Sequence, residues 1–134
     1  MTYSDPPSDG NAAADDFADI GEVVRFDVVG YGDRASVLHV VGEIDTLTAP
    51  LLRAQLDVQI PTNPLLVLDL TEVTFLGSAG LAVLVAAKDE AELRDHRLRI
   101  VPGSRIVVRA LQATGLLNIF DIADGVPQAL ETTG

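Results

Sequence analysis

Apolar residues recur along this chain at spacings that change from strand-like to helix-like. Val24, Phe26 and Val28 alternate with charged residues, which is the two-residue period of a half-buried strand. A Gly-Tyr-Gly-Asp turn at residues 30–33 separates this segment from a second apolar strand at residues 36–41. Because the connection is short, the pattern predicts an antiparallel hairpin.

Strand and helix patterns alternate after the hairpin. Helical spacing predicts a helix with Thr48 as its N-cap, stopped by Pro61 and Pro64. Residues 65–70 are almost wholly apolar, as in a central strand covered on both faces. A polar break follows, and good helix formers then run over residues 78–94, apolar in the first half and charged in the second.

The remaining chain continues the alternation. The pattern predicts a strand at 98–101, a helix at 105–114 ended by a left-handed Gly115, a short strand at 119–122 and a last helical segment at 125–131. Crossovers between such elements are right-handed, so we expect an α/β fold with a mostly parallel sheet and helices packed against it.

Ser78 lies at the junction between the predicted central strand and its helix. A serine there can cap the helix by accepting hydrogen bonds from unpaired backbone N–H groups. Gly77 and Gly80 leave its hydroxyl little cover, and the positive end of a helix tolerates an added phosphate. A simple cap and an approachable hydroxyl are both consistent with this position.

Three segments in the same order resemble the anti-sigma factor antagonist family of STAS domains, over roughly residues 22–130. They are Gly42-Glu43-Ile44-Asp45 followed by Thr48-Ala49-Pro50-Leu51, the strand leading to Gly77-Ser78-Ala79-Gly80, and Val107 to Leu116 ending in Thr-Gly-Leu. The resemblance implies a single STAS domain folded as a βα superhelix, here residues 22–134. It also implies that Ser78 is phosphorylated by a partner kinase, although Gly77 replaces the Asp that usually precedes this serine.

The expected partner-binding surface surrounds Ser78. Asp45 is either a turn acid bonding nearby N–H groups or, as the resemblance implies, a contact residue beside the serine. Asp69 is placed near the carboxyl end of its strand, where open α/β sheets present functional loops, and Thr71 and Glu72 would extend that face. The complete set is Asp45, Thr46, Asp69, Thr71, Glu72, Gly77, Ser78, Ala79 and Gly80.

Composition and charge limit the partners. The net charge is −11, and the first 21 residues contain five Asp and no Lys or Arg. Nucleic acid and anionic lipid surfaces would therefore be repelled, and a protein partner is expected. There is no Cys, and neither His39 nor His96 has suitably spaced acids, so no metal site is expected.

Enzymatic and membrane functions are not expected either. A nucleophile elbow would need glycine where Leu76 stands, and neither common phosphate-binding glycine motif occurs, so no cofactor is predicted. The longest uncharged stretch, residues 73–87, is shorter than the roughly 20 apolar residues of a membrane span. No secretory signal is visible at the N-terminus, so a cytoplasmic protein is expected.

The sequence thus supports two hypotheses. In the first, the protein is a non-enzymatic antagonist that binds an anti-sigma factor with a kinase-type ATP-binding fold and releases a sigma factor. Phosphorylation of Ser78 turns it off, and a phosphatase restores it. In the second, it is an unphosphorylated STAS scaffold subunit that binds the ATPase of a membrane transport complex. The glycine at position 77, in place of the usual Asp, keeps this second hypothesis open.

The acidic segment at residues 1–21 is predicted to be a disordered tail that folding does not require, because it offers the core almost no apolar surface. Deleting it should leave the melting temperature within about 2 °C, since ~1 kcal/mol moves a domain of this size by only a few degrees. A large fall measured by calorimetry would show that Phe17 and Ile20 pack against the domain.

Overall fold

A computed structural model describes residues 24–131 of the chain, and the predicted acidic tail lies outside them. Five strands form one sheet in the order β1-β2-β3-β4-β5. Their bounds are Val24–Tyr31, Ala35–Ile44, Leu65–Leu76, Arg97–Val101 and Asp121–Ile122. β1 and β2 form the predicted antiparallel hairpin, and each later pair of neighbours is parallel.

Four helices complete the described part of the chain. They are α1 (Ala49–Thr62), α2 (Ser78–Leu93), α3 (Arg105–Ala113) and α4 (Val126–Leu130). Strand and helix alternate from β2 onward, which confirms the α/β architecture predicted from the apolar pattern. β3 is the central strand, as its almost wholly apolar first half predicts.

The sheet buries both of its faces, to different extents. Leu52, Leu84 and Leu111, one from each of the three longer helices, are fully buried in the main core with Leu68 of β3. Because side chains alternate along a strand, Val67 points to the other face. There it joins a smaller cluster that α4 closes with Ala129.

β3 is longer than the sequence predicts. The polar residues after Leu70, interpreted as a loop, continue the strand to Leu76. Two register shifts against β2 each insert an extra residue into β3, as β-bulges do. Leu70, Val73 and Leu76 are therefore all buried although they recur every three residues rather than every two.

The observed ends of helices and strands agree only in part with those predicted from local sequence signals. Gly115 has φ 74°, and the N–H of Leu116 donates to the carbonyl of Leu111 at 2.9 Å, which confirms the predicted left-handed C-cap. Pro61 does not stop α1 but lies in its last turn. The predicted strand at 119–122 is reduced to Asp121–Ile122.

Leu84 and Leu93 provide a matched test of this architecture within one helix. Leu84 is fully buried, whereas Leu93 is 86% exposed at the end of α2. Leu84→Ala should lower the free energy of unfolding by about 2 to 5 kcal/mol, because it removes buried methyl groups and leaves a cavity. Leu93→Ala should change it by no more than about 0.5 kcal/mol in urea unfolding. Similar values for the two variants would contradict the packing of α2.

Candidate functional site

The ends of β2 and β3 bring two separate segments of the chain together. Ile44 and Leu76 are register partners at the last position of each strand. The backbone N–H of Gly77 then donates to the carbonyl of Ile44 at 2.9 Å. The β2–α1 loop, which contains Asp45 and Thr46, therefore adjoins the start of α2.

Gly80 allows α2 to sit directly on these strand ends. A Cβ at this position would lie 2.5 Å from Cγ2 of Ile44 and 2.7 Å from Cδ1 of Leu76, distances that no side chain could accept without displacement. Because the glycine has no side chain, one side of the first helical turn can pack against the core. Ser78, two residues earlier, faces solvent.

Ser78 is not the helix cap that the sequence predicts. The N-cap residue is Gly77, with extended backbone angles, and Ser78 is the first residue of α2. Within the described part of the chain its hydroxyl makes no hydrogen bond, so the side chain does not stabilise the local structure. Its exposed Oγ is left available for chemistry at the positive end of the helix.

Asp45 organises the loop beside Ser78. Its Oδ1 accepts the backbone N–H groups of Leu47 at 2.9 Å and Thr48 at 3.0 Å. Thr48 reciprocates, since its Oγ1 accepts the N–H of Asp45 at 2.9 Å and donates to the carbonyl of Glu43 at 2.7 Å. Thr48 occupies the predicted N-cap position of α1, but its hydroxyl serves this loop rather than the helix.

These bonds stabilise the ionised form of Asp45. The pKa of Asp45 lies below its ordinary value, chiefly because of the backbone N–H of Thr48, with smaller contributions from the Thr48 hydroxyl and the N–H of Leu47. The turn interpretation of this acid is therefore correct. Its Oδ2 accepts no hydrogen bond from residues 24–131 and remains available to a partner.

The predicted contact residues that lie on β3 are separated from Ser78 along the strand. Asp69 is not near the end of its strand, because β3 continues seven residues beyond it, roughly 20 Å at strand spacing. Its Oδ2 lies 2.7 Å from Nδ1 of His39, and its Oδ1 accepts the hydroxyl and N–H of Thr71. Glu72 is exposed on the same strand, four positions before Leu76. The structure therefore does not bring Asp69 and Thr71 together with Ser78.

Exposed apolar residues near Ser78 were missed by the sequence analysis. Phe75 is 49% exposed immediately before the strand end, and Leu47 is 72% exposed in the loop beside it. An open groove of about 410 Å³ separates the first turns of α1 and α2, lined by Thr46, Ala49, Pro50, Arg53, Ala79 and Val83. The three-residue spacing from Leu70 to Leu76 was the signal that could have shown Phe75 to lie off the core face.

Neither histidine belongs to this surface. His39 pairs with Asp69 in the middle of the sheet, and Nδ1 of His96 lies 2.8 Å from the carbonyl oxygen of Ile60. Across residues 24–131, no group of three potential metal-ligating side chains comes together. Within the same residues, no helix combines the length and the apolar character needed to cross a membrane.

Comparison with known proteins places this geometry in a family. The model of the STAS domain matches residues 26–129. An anti-sigma-B factor antagonist from Listeria monocytogenes is 37% identical over 86 residues, which cover 63% of this chain and 75% of that protein. These matches confirm the resemblance carried by the three sequence motifs.

Solved structures show the same fold. An anti-sigma factor antagonist from Mycobacterium paratuberculosis is 31% identical and superimposes with a TM-score of 0.74, over 80% of this chain and 91% of that one. The phosphorylated form of SpoIIAA, a Bacillus cell fate determinant, superimposes with a TM-score of 0.63 at 18% identity, over 80% and 97% of the two chains.

The loop organised by Asp45 should make stability depend on pH. A carboxyl whose pKa is lowered by folding stabilises the folded state above its ordinary pKa of about 3.9, and this contribution is lost as pH falls through the lowered value. Asp45→Asn should therefore be less stable than the wild type at pH 6. The difference in melting temperature should shrink towards pH 3, and a difference that stays constant over this range would contradict the charge-based account.

Proposed function

This chain belongs to the STAS domain family, and we propose that it is an anti-sigma factor antagonist switched off by phosphorylation of Ser78. The carrying observation is that Ser78 presents an exposed, unbonded Oγ at the start of α2, directly beside the β2–α1 loop. The similarity to proteins named anti-sigma factor antagonists supports the choice of partner.

The proposed contact surface is smaller than the one expected from sequence. It consists of residues from the β2–α1 loop and the first turn of α2: Asp45, Thr46, Gly77, Ser78, Ala79 and Gly80. Gly80 acts by positioning the helix, since it is buried against the strand ends. Asp69, Thr71 and Glu72 are left outside this surface because they precede it along β3.

The partner in this proposal is an anti-sigma factor with a kinase-type ATP-binding fold. It transfers the γ-phosphoryl group of ATP to Oγ of Ser78, ADP leaves, and the hydroxyl proton is released. A phosphatase later hydrolyses the ester and restores the binding form. In this proposal the protein supplies only the acceptor hydroxyl and acts as a regulator rather than as an enzyme. The proposed location is the cytoplasm, where the sigma factor acts.

Phosphate would act as a local electrostatic switch. It adds about −1.5 to −2 charges at neutral pH, and the positive end of the helix stabilises this charge by only roughly 0.3 to 1 kcal/mol. Burying such a charge in an interface costs several kcal/mol unless it is paired. Asp45 in the adjoining loop is ionised at neutral pH and cannot pair with the phosphate. A net loss of ~4 kcal/mol corresponds to about thousandfold weaker binding.

Substitutions at Ser78 test this proposal. Ser78→Ala should retain partner binding but abolish phosphate incorporation from labelled ATP, because the acceptor oxygen is gone. Ser78→Asp should weaken binding, although less than phosphate does, since it carries one charge and fewer oxygens. Because the hydroxyl makes no capping bond, Ser78→Ala should change the free energy of unfolding by no more than about 0.5 kcal/mol.

Thr74 provides the control, since it is an exposed hydroxyl residue four positions earlier in the chain. Thr74→Ala should leave both binding and phosphate incorporation unchanged. Retention of labelled phosphate by Ser78→Ala would contradict the proposed acceptor. Tight binding by Ser78→Asp would contradict the charge switch and favour an unregulated scaffold.

A further inference from the structure

We infer that the outer side of β1 is a self-association surface, on which a second copy of this chain pairs its own β1 in antiparallel orientation. β1 is an outer strand of the sheet and pairs with β2 over eight consecutive residues without a register shift. The opposite outer strand, β5, has only two residues. Within the described residues, β1 therefore presents the longer row of unpaired backbone N–H and C=O groups, which is a template for another strand.

Two side chains of opposite charge lie at the centre of this strand. Arg25 and Asp27 flank Phe26, and both are exposed. Because alternate side chains share a face, the two charges point away from the main core, against which Phe26 packs. Neither forms an ion pair within residues 24–131. A row of like charges would repel a second copy, whereas this cation and anion are neutralised by an identical strand that runs in the opposite direction.

The charges select one register for the pairing. A two-fold axis through Phe26 places Arg25 of each copy opposite Asp27 of the other. An axis through Arg25 or through Asp27 would instead place like charges opposite each other, which is destabilising. A shift by a single residue would align the core face of one sheet with the outer face of the other. The register centred on Phe26 therefore satisfies both the charges and the faces.

This register extends a polar row that already crosses the sheet. Asp27 is the register partner of His39 on β2, and Nδ1 of His39 lies 2.7 Å from Oδ2 of Asp69 on β3. In the dimer, Arg25 of the second copy lies on the other side of Asp27. That carboxylate is then flanked by an imidazole and a guanidinium, and it has no acid as a cross-strand neighbour.

The same register covers apolar surface on the core face. Val28 is exposed on β1, and pairing places it opposite Val24 of the second copy, which removes apolar area from water. Because the two copies of each strand run in opposite directions, the two Ser78 surfaces lie at opposite ends of the joined sheet. Both remain accessible, so the inference does not depend on the proposed function.

Charge reversal on β1 tests the inference by sedimentation equilibrium of the full chain. The wild type should show a reversible monomer–dimer equilibrium. Arg25→Asp and Asp27→Arg each turn both charge pairs into repulsive ones and should raise the dimer Kd about tenfold or more. The first makes the net charge more negative and the second less negative, so overall repulsion would not weaken both. Wild-type protein that stays monomeric up to millimolar concentration, or a loss in only one variant, would overturn the inference.

Combining the two reversals tests the register itself. The double variant Arg25→Asp/Asp27→Arg again has opposite charges facing each other, so its dimer Kd should lie within about threefold of the wild type. An equimolar mixture of the two single variants should form heterodimers in native mass spectrometry, because every Asp then faces an Arg. A double variant as weak as the single ones, or a mixture without heterodimers, would overturn the register. Circular dichroism should show all variants folded, and a dimeric double variant shows that neither substitution prevents folding.

Arg105 provides the matched control. It is exposed at the first position of α3, and it forms no ion pair within the described residues. Arg105→Asp changes the net charge as Arg25→Asp does, and an acid is tolerated at the start of a helix. The dimer Kd should stay within about twofold of the wild type, because the substitution lies outside the interface. A rise equal to that of Arg25→Asp would overturn the inference, since general repulsion would then account for both.

Discussion

The site depends on one constraint, which is the alignment of the ends of β2 and β3 beneath the first turn of α2. The Gly77 N–H bond to the Ile44 carbonyl locks the two strand ends together. Gly80 then lets the helix approach Ile44 and Leu76 more closely than any side chain would permit. Because that turn of the helix faces the core, Ser78 must face solvent, and the Asp45 loop must lie beside it.

The proposed function assigns stability and recognition to different residues of this short region. Buried apolar side chains and two glycines set the backbone, and the Asp45–Thr48 bonds hold the loop. Ser78, Phe75 and Leu47 contribute little to the core and remain exposed. In the proposed function, a charge added at Ser78 would therefore weaken binding without requiring the domain to unfold.

The apolar pattern was sufficient to predict the hairpin, the parallel sheet and the C-cap at Gly115, because each follows from local periodicity or a single conformational requirement. It failed where two β-bulges changed the spacing of core positions in β3, so that a strand was interpreted as a loop. Asp69 was consequently placed at a strand end, and Phe75 was overlooked. Ser78 was predicted to cap α2 because serine favours that position, whereas Gly77 holds it. The length of β3 and the start of α2 depend on how β3 pairs with β2, and a local sequence pattern does not reveal that pairing.

In the proposed mechanism, charge at the exposed hydroxyl of Ser78 controls partner binding while the fold stays the same. The most direct measurement compares the Kd of the Ser78-phosphorylated and unmodified proteins for the anti-sigma factor, with circular dichroism of both forms recorded alongside. We expect about a thousandfold higher Kd for the phosphorylated form, equivalent to ~4 kcal/mol, and superimposable spectra. Equal Kd values, or weaker binding accompanied by loss of secondary structure, would contradict the charge-switch mechanism.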